Sequence, residues 1–143
     1  MPRRTLETDV ADLAQAIRLL VRRMRAESGA HELSLTELAV LARLEREGPA
    51  TTADLARAER VRPQSMGTTI GALEELGFIA RKPHPTDGRQ VYIELTAKGA
   101  ALRQRTGEAK RTWLAQAIAT LDDAERDTLF AAGRIVRRLA DSQ

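Results

Sequence analysis

The organisation of this 143-residue chain is decided by residues 78–95, FIARKPHPTDGRQVYIEL. The helical spacing of apolar residues gives way in 78–82 and 90–95 to an alternating one, which predicts two β-strands. Residues 83–89 between them are rich in turn-forming residues and include an Asp-Gly pair, as is typical of a hairpin loop. Because a two-stranded ribbon is only marginally stable alone, we expect the hairpin to pack on helices.

Residues 52–76, immediately before the hairpin, predict a helix-turn-helix. A short helix capped by threonine comes first. The second helix is expected to begin at Arg62-Pro63, because proline at the first helical position loses no hydrogen bond, and to stop at Gly77. Only about four residues, 58–61, separate the two helices, and so tight a connection is the signature of this motif.

Helical periodicity continues on both sides of this segment. Long helical regions are predicted at about 6–28 and 97–140. Ser34 and Asp122 are each followed three residues later by glutamate, and these capping boxes predict two further helix starts. We therefore expect a single domain over residues 1–143, mostly α with a small β hairpin (α+β). Its expected order is three helices, a recognition-type helix, the hairpin and two more helices.

Composition excludes several classes of protein. Hydrophobic residues make up 43%, which predicts a packed core, while only 3% are aromatic, which argues against stacking platforms for single-stranded nucleic acid. The absence of cysteine excludes disulfides and thiolate metal sites. No apolar run is long enough for a bilayer, and the start lacks the apolar stretch of a signal peptide, so we expect a cytoplasmic protein that does not enter membranes.

An enzyme is not expected. The sequence holds no Ser/Cys–His–acid set, glycine-rich phosphate loop or metal-ligand spacing. Its two histidines, His31 and His84, lie in separate segments without other ligands around them. We predict neither a metal nor a cofactor.

The outer face of the second helix of the helix-turn-helix suits the major groove of duplex DNA. Opposite Met66, its amino-terminal half is small, polar and free of acidic residues. Glutamine can form hydrogen bonds with two atoms of adenine, and serine or threonine can bond any base. Arginines cluster at the amino-terminal end of the helix, which attracts phosphate. The residues expected to face DNA here are Arg57, Arg60, Arg62, Pro63, Gln64, Ser65, Gly67 and Thr68.

The hairpin supplies a second predicted DNA contact, and it favours DNA binding over the alternative of an ordinary solvated helix face. Arg89 can enter a minor groove, where narrow A·T-rich stretches attract arginine. Asp87 and Gly88 form the turn, and Asp87 is expected to bond turn amides rather than DNA. The basic residues expected to face DNA from the hairpin are Arg81, Lys82, His84 and Arg89.

Residues 87–96, DGRQVYIELT, resemble the wing of the MarR family of regulators: Asp, any residue, Arg, five residues, then Leu-Thr. Residues 73–79 resemble the end of that family's recognition helix, and 121–125 the start of its last helix. The resemblance covers nearly the whole chain in the expected order. It departs at Thr68 and Ala72, where family members often carry basic residues.

The resemblance implies a winged helix-turn-helix repressor that binds a pseudo-palindromic operator as a homodimer and responds to a small aromatic or anionic ligand. The alternative is a winged helix used for protein–protein contact. The first and last helices hold more apolar residues than one small winged helix needs to cover, which independently favours a dimer. The expected interface residues are Leu6, Val10, Leu13, Ile17, Leu114, Ile118, Leu129, Ile135 and Leu139. In the family, ligands lie between the dimerisation helices and the DNA-binding lobe, so the candidate lining residues are Arg18, Arg22, His31 and Trp113.

Overall fold

The computed structural model describes residues 3–30 and 32–143. Its elements in chain order are α1 (Leu6–Glu27), α2 (Leu35–Glu47), β1 (Ala50–Thr51), α3 (Thr52–Glu59), α4 (Pro63–Glu75), β2 (Ile79–Pro83), β3 (Val91–Leu95), α5 (Ala97–Ala119) and α6 (Asp123–Ala140). The predicted mostly helical fold with a small β element is confirmed. The chain divides into a central unit, residues 28–108, and a terminal unit formed by residues up to 27 together with 109–143.

The core of the central unit is built from one apolar stripe on each of three helices, one residue from each long strand, and Leu33 just before α2. The spacing of three or four residues on the helices places each stripe on one face. The buried residues are Leu33, Val40, Leu41, Leu44, Leu55, Ala56, Met66, Ile70, Leu73, Ile79 and Ile93. Residues of α4 and of both hairpin strands belong to this one core, which holds α4 and the hairpin together.

The helix starts follow from local hydrogen bonds. Ser34 Oγ accepts from the Glu37 amide at 3.1 Å, and Glu37 Oε1 accepts from the Ser34 amide at 2.9 Å. Asp122 and Glu125 form the same reciprocal pair at the start of α6. Both predicted capping boxes are confirmed.

The sheet has three antiparallel strands in the order β1-β3-β2, not the two that the sequence predicts. β1 pairs Ala50 with Ile93 and Thr51 with Tyr92. A strand of two residues is too short to show an alternating period, so the sequence could not reveal it. The pairing of β1 with β3 covers one edge of the hairpin. It also connects the hairpin to the helix-turn-helix, because Thr51 of β1 is the amino-terminal cap of α3.

The turn of the helix-turn-helix is tighter than predicted. α3 ends at Glu59 and α4 starts at Pro63, so only residues 60–62 connect them. Arg60 adopts the left-handed conformation with φ of 56°, and the Val61 amide donates to the Ala56 carbonyl at 3.0 Å. Such a left-handed residue satisfies the last carbonyls of a helix and reverses the chain.

Arg43 ties α2 to α3. Its guanidinium donates to Glu59 at 2.8 Å and to Glu47 at 3.0 Å. The hydrogen bond to Glu59 is the main cause that raises the pKa of Arg43, and burial opposes it. Since less than a quarter of the Arg43 and Glu59 side chains is exposed, the pair is shielded from water more than a surface ion pair.

The start of α5 packs closely on the chain between α4 and β2. Thr96 Oγ1 caps the helix by accepting from the Gly99 amide at 3.1 Å, and it donates to the Gly77 carbonyl at 2.6 Å. Lys98 Nζ donates to the Leu76 carbonyl, the end of α4, at 2.7 Å. These bonds hold the start of α5 against the segment that connects α4 to β2.

The terminal unit leaves much of its apolar surface uncovered. Neither α1 nor α6 contains a buried residue in the part of the chain that the structure describes. Their exposed large apolar residues are Leu6, Val10, Leu13, Ile17, Leu19, Leu20, Val21, Leu129, Phe130, Ile135, Val136 and Leu139. No helix among the described residues has both the length and the apolar content needed to cross a bilayer.

Candidate nucleic-acid interface

The amino-terminal end of α4 is open to solvent. Arg62 occupies the cap position in an extended conformation, and its side chain makes no capping bond to the first turn. Pro63 lies at the start of the helix and Met66, on the opposite face, is fully buried. The free amides and the helix dipole make this end attractive to a phosphate.

The outer face of α4 carries exposed polar groups and little bulk. Gln64 and Ser65 are exposed, and the exposed Thr68 donates its hydroxyl hydrogen to the Gln64 carbonyl at 3.2 Å. A Cβ built on Gly67 or Gly71 meets no atom within 4 Å, so packing within the chain does not require glycine there. The small residues leave room for another molecule to approach the helix backbone.

The turn of the hairpin is held by Asp87, as the sequence predicts. Asp87 Oδ1 accepts from the Arg89 amide at 3.0 Å, and the Asp87 carbonyl accepts from the Gln90 amide at 3.1 Å. The His84 amide closes the loop by donating to the Gln90 carbonyl at 3.1 Å. Arg89 is exposed at the tip of this turn.

Several of the cations predicted to face DNA already have an acidic partner. Arg81 pairs with Glu74 of α4 at 3.1 Å, and Lys82 pairs with Glu94 at 2.8 Å. Arg57 pairs with Asp54, one helical turn before it. The hairpin is therefore less positively charged than its basic residues alone suggest.

Of the arginines predicted to face DNA, three have no acidic side chain in salt-bridge range among the described residues: Arg60, Arg62 and Arg89. Two of them lie at the amino-terminal end of α4 and the third at the tip of the hairpin. The positive charges that remain unpaired on the candidate interface of the central unit therefore lie at the start of α4 and at the tip of the hairpin. Both places are suited to contact a nucleic-acid backbone or groove.

His84 is half-buried, and its ring is hydrogen-bonded within the hairpin. Its Nδ1 accepts from the Thr86 amide at 3.2 Å and from the Asp87 amide at 3.1 Å. Its ring packs against Tyr92 with centroids 4.4 Å apart.

Of the predicted ligand-lining residues, Arg18, Arg22 and Trp113 lie in the terminal unit, whereas His31 lies outside the described residues. Arg18 and Arg22 are exposed and Trp113 is half-buried. The guanidinium over the Trp113 ring belongs to Arg23, 5.4 Å from the ring centroid. Arg23, which the sequence did not single out, also pairs with Glu27 at 3.1 Å.

The predicted dimer residues are exposed or half-buried in the isolated chain. Leu114 and Ile118 line an apolar groove of about 510 Å³ in the terminal unit together with Phe130. Leu129 lies along a second groove of about 460 Å³ in the same unit. This unit therefore offers grooves as well as protruding apolar side chains, as a self-complementary surface requires.

Comparison with known proteins adds independent information. A family model described as the MarR family matches residues 33–91. An uncharacterized HTH-type transcriptional regulator of Mycobacterium bovis is 40% identical over 131 residues, 92% of each chain. An HTH-type transcriptional repressor of Mycobacterium tuberculosis is 36% identical over 89 residues, 62% of this chain and 64% of the repressor.

A solved structure extends the similarity. The crystal structure of a protein from Pseudomonas aeruginosa described as a transcriptional regulator matches with a TM-score of 0.89 and 30% identity, covering 99% of this chain and 100% of the other. The match includes the helices at both ends as well as the helix-turn-helix and the hairpin.

Proposed function

The chain belongs to the MarR family of DNA-binding transcriptional regulators, and we propose that it is a ligand-responsive repressor that binds a pseudo-palindromic operator as a homodimer. The observation that carries this proposal is the exposed amino-terminal half of α4. It holds no acidic residue in its first turn, presents polar side chains, and lies next to arginines without an acidic partner among the described residues. A helix end of this kind fits a major groove between two phosphate backbones.

In this proposal, α4 and the hairpin contact adjacent grooves. Gln64 and Ser65 face base edges in the major groove, and Arg62 contacts the phosphate backbone. Arg89 at the hairpin tip enters the neighbouring minor groove, where the potential is most negative in A·T-rich DNA. Because α4 has few basic residues, the bases are recognised through hydrogen bonds from its uncharged side chains and through the hairpin.

The homodimer explains the uncovered apolar surface of α1 and α6. Burying apolar area stabilises an assembly by about 25 cal/mol per Å² before the costs of association are subtracted. A two-fold axis through these helices would place the two copies of α4 about one DNA turn, roughly 34 Å, apart. Operator symmetry would then follow from protein symmetry.

Hydroxyl-radical footprinting on the DNA upstream of the protein's own gene tests this arrangement. We expect two protected segments on one face of the duplex, with centres about 10 base pairs apart. A single protected segment, or protection that follows no two-fold symmetry, would contradict binding as a symmetric dimer. Uniform weak protection along the fragment would contradict specific recognition.

Replacing Arg89 by alanine should weaken operator binding by about 1–3 kcal/mol, or roughly 5- to 150-fold, because it removes the groove contact of the wing. Fluorescence anisotropy at fixed salt with a labelled operator measures the change. Arg89→Lys is the matched control, since it keeps the charge but not the planar fork of guanidinium. If both variants bind like the wild type, Arg89 does not contact DNA.

A second candidate function is a winged helix that binds another protein. The observation that favours it is the sparse charge of the surface, since Arg81 and Lys82 are paired and α4 carries no free lysine or arginine beyond its start. The salt dependence of duplex affinity separates the two candidate functions. Contacts to phosphate release counterions, so affinity falls as salt rises, whereas contacts of a winged helix with another protein release no such counterions.

The proposed effector is a small aromatic or anionic molecule that contacts the terminal unit near Trp113. The supporting features are the exposed Arg18 and Arg22 on α1 and the cation–π pair of Arg23 with Trp113. Because Trp113 is the only tryptophan, its fluorescence reports on this region alone. Titration with small aromatic acids should quench it over the same concentration range in which operator DNA is released. Quenching without any change in DNA affinity would contradict regulation through this region.

A further inference from the structure

His84 lies in the hairpin loop, and its ring nitrogen Nδ1 is bonded to other residues of the same loop. Two backbone amides donate to His84 Nδ1, that of Thr86 at 3.2 Å and that of Asp87 at 3.1 Å, and the Thr86 hydroxyl oxygen lies 3.3 Å from the same nitrogen. A nitrogen that accepts from a backbone amide carries no proton, so the ring is neutral with its hydrogen on Nε2. The ring is held in place by its contact with Tyr92 of β3.

Hydrogen bonds connect this nitrogen to Arg89. The His84 ring fixes the backbone amide of Asp87, and the Asp87 carboxylate accepts from the Arg89 amide at 3.0 Å. The backbone of the loop is closed by bonds from Gln90 to Asp87 and from His84 to Gln90, each at 3.1 Å. His84 is thus linked through Asp87 to the backbone amide of Arg89.

We propose that His84 is a positioning residue for DNA binding: its neutral ring orders the wing turn and so presents Arg89 to the groove. This inference rests on the proposed function, in which Arg89 contacts DNA. It replaces the interpretation of His84 as a residue that itself contacts DNA.

Three variants test the role of the Nδ1 acceptor. His84→Ala removes it, and we expect a loss of about tenfold in operator affinity near pH 8, comparable to the loss of one or two hydrogen bonds. His84→Asn places an amide oxygen near the position of Nδ1 and should restore most of the affinity. His84→Gln carries its amide one bond farther out, near the position of Nε2, and should bind like His84→Ala.

Amide hydrogen exchange on the free protein separates this inference from the proposed function. The Thr86 and Asp87 amides should exchange about tenfold faster in His84→Ala than in the wild type, with no DNA present. Equal exchange would contradict the role of His84 even if DNA binds. A wild type that protects these amides but binds no duplex would contradict the proposed function and leave the His84 bonds in place.

Discussion

Replacing Leu139 by glutamate is expected to convert the protein into a monomer and to weaken operator binding by at least about 100-fold, because a two-fold interface would bury the new charge twice. Leu139 is 64% exposed in the chain and lies on α6, which has no buried residue among those described. A charge buried without a partner costs several kcal/mol. Since each operator half-site contributes to affinity, a monomer loses most of it.

Light scattering at low micromolar concentration measures the oligomeric state, and anisotropy measures DNA binding. Leu139→Met keeps an apolar side chain, and Arg138→Glu introduces the same acid one residue earlier; both should remain dimeric. A Leu139→Glu protein that is still fully dimeric would show that this part of α6 lies outside the interface. Monomers that bind the operator as tightly as the wild type would contradict the dimeric mode of binding.

Replacing Gly99 by alanine should lower the free energy of unfolding by about 3 kcal/mol, although alanine is the better helix former. A Cβ at this position would lie 2.2 Å from the Phe78 carbonyl oxygen and 2.8 Å from Leu95 Cδ1. The Phe78 carbonyl is fixed by a bond from the Thr96 amide at 3.1 Å, so it cannot move away freely. The start of α5 must then separate from the beginning of the hairpin.

Urea unfolding followed by circular dichroism measures this change. Gly71→Ala in α4 is the matched control, because a Cβ there meets no atom within 4 Å. It should leave stability unchanged or raise it by up to about 1 kcal/mol. If Gly99→Ala also stabilises the protein, the close contact between α5 and Phe78 is not rigid.

The features that the sequence predicted well are those set by residues close together in the chain. The capping boxes at Ser34 and Asp122 and the turn at Asp87 depend on partners two or three residues away. The core stripe of α4 followed from its helical spacing, since only one face of that helix can be buried. These local rules sufficed for the order of helices and for the hairpin.

The features that the sequence missed depend on pairing between distant segments. Arg81 meets Glu74 because β2 packs beside α4, and Lys82 meets Glu94 because the strand register places them diagonally on one face. Arg23 and Trp113 are ninety positions apart. The charge left free on the candidate DNA interface is therefore a property of the fold and cannot be counted from composition.

The salt dependence of duplex affinity tests the central claim most directly. With a duplex of about 30 base pairs from the region upstream of its own gene, the logarithm of the binding constant should fall linearly with the logarithm of salt concentration. If the charges of Arg62 and Arg89 in both protomers each displace one counterion from the duplex, the slope should be about −3.6 between roughly 50 and 200 mM salt. An affinity that does not change over this range, or no binding to any duplex from that region, would contradict a DNA-binding role for α4 and the wing.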